Sequence, residues 1–170
     1  MRVKIQREAF EGANDRDLVC SCIEPVVQQV LQQDQKERLQ TYHKLNVAQK
    51  GLFSFQFLYD HAQSVEEFYY YTMYGLTHPE LWEELKGGAS MAEDDAMLYV
   101  YLSIEKILTP KLQEIAGEWK CVSKQDIWGD HQLRITIEGL HYMYHDIATE
   151  TLGRYGSRIR KNPKEFVEVM

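Results

Sequence analysis

Disulfide chemistry has almost nothing to work with in this chain. Its 170 residues hold three cysteines, Cys20, Cys22 and Cys121, an odd and small number that implies no disulfide framework. Long apolar runs are missing as well. The longest, residues 96–102, counts seven residues, against roughly 20 needed to cross a bilayer, so no membrane span is expected. The opening Met-Arg-Val-Lys-Ile-Gln-Arg-Glu has no apolar stretch that would serve as a signal-peptide core. Together these absences predict a soluble, reduced, cytoplasmic protein. Positive charge is in deficit: 19 Lys and Arg stand against 26 Asp and Glu, for a net charge of −7 and a pI near 5.4. A phosphate-binding surface needs the opposite sign, which argues against nucleic acid as a partner.

The familiar catalytic signatures are absent too. There is no Gly-x-Gly-x-x-Gly or Gly-x-x-x-x-Gly-Lys-Ser/Thr phosphate cradle. There is also no Gly-x-Ser-x-Gly elbow and no Cys-x-x-Cys pair. Cys20 and Cys22 lie two apart, about 200° around a helix, so on a helix they point to nearly opposite sides and share no ligand. They read as small helix residues.

What is present is helical periodicity. At 44% apolar and 26% charged, the chain has ordinary globular composition and the length of one domain. Leu18, Cys22, Val26, Val27, Val30 and Leu31 recur at helical spacing after Asn14, with Pro25 expected to kink the run. A second helix is expected from Asp34 through Leu39, Tyr42, Leu45 and Ala48, with Gly51 weakening its centre. Three Ser/Thr-x-x-Glu capping boxes follow. Ser64 with Glu67 opens a helix closed by Gly75. Thr77 with Glu80, and Pro79 in the first turn, opens the next, closed by Gly87-Gly88. Ser90 with Glu93 opens a longer one carrying the stripe Met97, Tyr101, Ile104, Leu108, Leu112 and Ile115, with a kink expected at Pro110. That stripe is expected to face the core against the aromatic helix 66–74.

Leu133, Ile135 and Ile137 alternate like a strand, but Leu133, Ile137, Leu140, Tyr144, Ile147 and Thr151 also fit a helix over five turns, and length favours helix from Asp130 to Gly153. Val3 and Ile5 leave room for a small β element. The expectation is an all-α, single-domain bundle of six or seven helices over residues 1–152, one or two of them kinked at proline. A basic C-terminal tail, 153–170, completes the chain. The tail has five basic and two acidic residues, a charge of +3 that leaves −10 on the rest. It reads as a solvated segment, or as one that docks on itself, another subunit or a partner.

Two functional readings remain. The first is a cytosolic helical interaction or regulatory module without identifiable catalytic machinery, associating with a protein partner or a second copy through apolar and aromatic surface. Salt-sensitive contacts from the tail would assist. The aromatic segment containing Tyr70, Tyr71 and Tyr74 is its candidate ligand-binding face, with enclosure in the core the competing reading. The second is a small helical metal-binding protein or metal-dependent hydrolase. His141 and His145, four apart, share one helix face, and Glu138 precedes them by a turn. With His61 or His43 as third nitrogen donor, they would hold a divalent transition metal such as Zn and activate a water. A di-iron carboxylate site is excluded, because only Glu138-x-x-His141 has the Glu-x-x-His spacing.

Overall fold

Every fourth and third position of the longest helix, from Leu133 through Ile137, Leu140, Tyr144, Ala148, Thr151 and Tyr155 to Ile159, is buried, and the rest of the chain is arranged around that stripe. The computed structural model describes residues 2–115 and 122–170. Its elements are β1 (Val3–Ile5), α1 (Arg7–Gly12), α2 (Asp15–Leu31), α3 (Gln35–His43), α4 (Val47–His61), α5 (Val65–Thr77), α6 (Pro79–Met91) and α7 (Asp95–Ile115). A 3-10 turn (Asp126–Trp128) then leads into α8 (His131–Lys161), α9 (Pro163–Phe166) and β2 (Val167–Val169). The fold is all-α with one small β element, as the periodicity predicts. No helix among the described residues is long and apolar enough to cross a membrane.

Local chemistry explains where most helices begin. Asn14, Asp34, Asn46, Ser64 and Asp130 each accept a backbone N–H of the first turn, and Asp34–Glu37 and Asn46–Gln49 form full capping boxes. Such caps satisfy donors that the helix itself leaves unpaired. Both Pro25 and Pro110 lie inside helices that continue past them. Cys20 is exposed and Cys22 buried on α2, and burial pushes the Cys22 thiol up to about 12, so it stays protonated at neutral pH.

Several expected boundaries move. Asn46 restarts the helix that was expected to run from Asp34 through Ala48, splitting it into α3 and α4. Gly75 does not end α5, which reaches Thr77, and the Thr77 hydroxyl donates to the Tyr74 carbonyl instead of capping α6. Gly87-Gly88 does not end α6 either. α4 and α6 cross at Gly51 and Gly88 so closely that a Cβ on Gly51 would stand 2.6 Å from the Gly88 Cα. These two glycines allow backbone contact rather than breaking a helix. Ser90 therefore lies inside α6, and the cap of α7 is Asp94, whose Oδ1 accepts the Met97 N–H at 3.0 Å. Glu93 makes the turn between them with φ of 57°.

Met97, Tyr101, Ile104 and Leu108 are all buried, as the stripe requires, and Trp82 of α6 meets Tyr101 edge-on at 5.7 Å. The Leu31 and Ile115 side chains and Cys121 lie outside the described residues.

The largest departure is at the C-terminus. Gly153 does not stop α8, which runs eight residues further to Lys161. Phe166 and Val167 are then buried, and β2 pairs in parallel with β1, Val3 opposite Val167 and Ile5 opposite Val169. Residues 153–170 are thus no solvated tail. Arg154 pairs with Glu150, Arg158 with Glu165 and Arg160 with Asp15, so three of the five basic residues are neutralised within the chain.

Candidate functional site

Asp130 places α8 in register: its Oδ1 accepts the Leu133 N–H at 2.9 Å, and the helix turns His141 and His145 to one side. Their ring centroids are 4.4 Å apart and perpendicular-like, at 69°. His145 Nε2 lies 2.7 Å from the Ala62 carbonyl oxygen at the end of α4. A carbonyl only accepts, so this nitrogen carries the proton and is not free to ligate. His141 packs edge-on against Phe68 of α5, and its Nε2 is buried without a hydrogen-bond partner. Burial, and then the neighbouring His145, hold His141 below the ordinary histidine value.

The other expected ligands are engaged elsewhere. Glu138 accepts from Arg134 Nε at 2.8 Å. His61 Nδ1 lies 2.8 Å from the Phe57 carbonyl, and its ring is flanked by Phe57 and Tyr71 at 4.5 and 4.9 Å. His43 is exposed in the last turn of α3. Among the described residues no three His, Cys, Asp or Glu side chains come together as a metal site would need. The predicted histidine pair is therefore formed, but its carboxylate and third nitrogen are not brought to it.

The aromatic helix divides. Phe68 and Tyr69 are buried, and burial raises the Tyr69 hydroxyl to about 12. Tyr70 and Tyr71 are half-buried and meet edge-on at 5.1 Å, while Tyr74 is exposed and lies against the His78 ring at 4.1 Å. The three thus lie at the edge of the bundle, with Tyr71 packed against the core.

A third feature was not singled out from the sequence. The outward face of α8 carries Ile135, Gly139, Tyr142 and Asp146 at four-three-four spacing, flanked by Met143. Ile135, Tyr142 and Met143 are 49%, 72% and 38% exposed, and nothing lies within 4 Å of where a Gly139 Cβ would stand. Sequence periodicity does hold a signal for it: Ile135 and Tyr142 fall outside the buried stripe, so a helical assignment already makes them surface residues.

The chain matches no protein-family model, no curated protein and no solved structure.

Proposed function

We propose that this protein is a cytosolic helical interaction module that pairs reversibly with a second copy of itself through the outward face of α8. The observation that carries the reading is the apolar stripe Ile135, Tyr142 and Met143, open to solvent around a glycine whose Cβ position meets none of the described residues. A glycine within a helix costs roughly 1 kcal/mol relative to alanine. Among the described residues no packing at Gly139 offsets that cost, whereas close approach of a second helix would.

The face is self-complementary. In an antiparallel pair crossing at Gly139, positions equidistant from it meet: Ile135 opposes Met143, Thr136 opposes Tyr142, and Gln132 opposes Asp146. The centre is then apolar and the rim polar, with the Gln132 amide able to donate to the Asp146 carboxylate. This is the isologous arrangement that two-fold symmetry demands. The stripe offers about seven residues per copy where stable interfaces use about 20–30, so the association is weak and concentration-dependent. It is also insensitive to salt, because the basic residues expected to contribute are largely paired internally.

Sedimentation velocity across a wide concentration range tests this. Ile135→Asp should remain monomeric where the wild type associates. Gly139→Ala should weaken association while raising the melting temperature of the monomer. A wild type that stays monomeric at the highest concentrations, or an Ile135→Asp variant that associates equally well, refutes the reading.

A further inference from the structure

Beyond the seam around Gly139, and independent of it, a cleft of about 400 Å³ runs along the last three turns of α8, facing the turn between α6 and α7. Its size falls within the range of small-ligand sites, about 300–1,000 Å³. The cleft holds as many carboxylates as cations, but most of these cancel within the protein. Arg154 gives Nη2 to Glu150 at 3.0 Å and Nη1 to the Glu93 carbonyl at 3.1 Å. Asp15 is taken by Arg160 at 3.0 Å. What is left unspent is sorted by sign along the cleft. At the α6–α7 end, the Glu93 carboxylate has no partner among the described residues. At the far end, Lys161 has none either, and Arg158, whose Nη2 holds Glu165, lines the cleft beside it.

We infer that this cleft binds a short zwitterionic peptide of about three residues, its ammonium at Glu93 and its carboxylate at Arg158 and Lys161. The run of helix between the two ends of the cleft sets that length. Arg154, which meets the Glu93 carbonyl, and Lys161 are seven residues apart on one helix, about 10 Å along the axis. A free amino acid carries both charges on one carbon and cannot reach both ends. An extended chain of three residues spans about 10 Å. Gly153 leaves the floor open, with nothing within 4 Å of its Cβ position, and Met91 and Ala92 give apolar wall for the peptide side chains. A polyanion finds no net positive field here, which excludes nucleic acid from the same cleft.

Isothermal titration of the full chain with trialanine tests the assignment. Saturable binding is expected, lost when the amine is acetylated or the carboxylate amidated, and not reproduced by alanine. Lys161→Gln and Glu93→Gln should each weaken it about tenfold or more. Neither side chain has a partner to lose among the described residues, so both variants should melt as the wild type does. No saturation by about 10 mM trialanine overturns the proposal. So does unchanged affinity in both variants, or inorganic phosphate competing as well as the peptide, which would mark a simple anion site.

Discussion

His141 shows what burial does to a group that helical spacing alone identifies. In the unfolded chain it takes up a proton near 6.5, and in the fold it does so only at lower pH, mainly because it is buried and next because His145 lies beside it. Glu66 and the Ala62 carbonyl pull the other way without reversing the shift. Between its folded value and 6.5 the unfolded state holds more protons, so stability rises with pH across that window. Acidification from neutrality should therefore lower the melting temperature through 6.5 and then level off. His141→Gln should flatten this slope, since the other five histidines are common to both proteins. Parallel melting curves from pH 7.5 to 5 in the two would show that His141 contributes nothing to it. The same residue marks the limit of motif spacing as a guide to chemistry. Glu138, His141 and His145 do share a helix side, but Arg134 lies one turn from Glu138 and takes its carboxylate. An i, i+4 partner on the same face competes with any metal, and spacing does not reveal which prevails.

At the scale of the element, capping side chains were legible in part, since Asp34, Ser64 and Asp130 cap helices whereas Thr77 and Ser90 do not, and glycines were not. Asp34, Ser64 and Asp130 begin helices because each side chain accepts an N–H of the first turn. A glycine pair, by contrast, has two uses, ending a helix or letting another backbone approach, and in Gly87-Gly88 it is Gly88 that serves the second. That single ambiguity misplaced the end of α6 and, with it, the cap of α7. The two neighbours separate the uses experimentally. Gly87 has nothing within 4 Å of its Cβ position, so Gly87→Ala should stabilise by about 0.5–1 kcal/mol through helix propensity. Gly88→Ala would place a methyl 2.9 Å from the Gly51 Cα and against the Tyr155 hydroxyl. Forcing α4 and α6 apart should cost about 1–3 kcal/mol, and urea melts of the pair should move in opposite directions. Equal shifts would mean that the crossing is loose.

For the molecule as a whole, the two chain ends are one structural unit. β1 and β2 pair in parallel, the Met170 N–H donates to the Ile5 carbonyl at 2.9 Å, and Arg7 N–H returns the bond to the Met170 carbonyl. Asn46 and Gln49, at the start of α4, donate to the Glu165 and Phe166 carbonyls, so the terminus is tied to the bundle as well as to β1. Composition concealed this, because residues 153–170 look like a basic solvated tail until their arginines are seen paired with Glu150, Glu165 and Asp15. The apolar residues within the segment, Tyr155, Ile159, Phe166 and Val167, are buried and were outweighed by the charges around them. Phe166→Ala should therefore cost about 3–5 kcal/mol, the range for emptying a buried aromatic site. Removing residues 163–170 should cost at least as much, because β1 then loses its only neighbouring strand among the described residues. Urea unfolding of the two variants beside the wild type measures this. A change under about 0.5 kcal/mol in both, the size of an ordinary surface substitution, would return the segment to a dispensable tail. A loss confined to the truncation would instead assign the stability to the strand pairing and not to the Phe166 side chain.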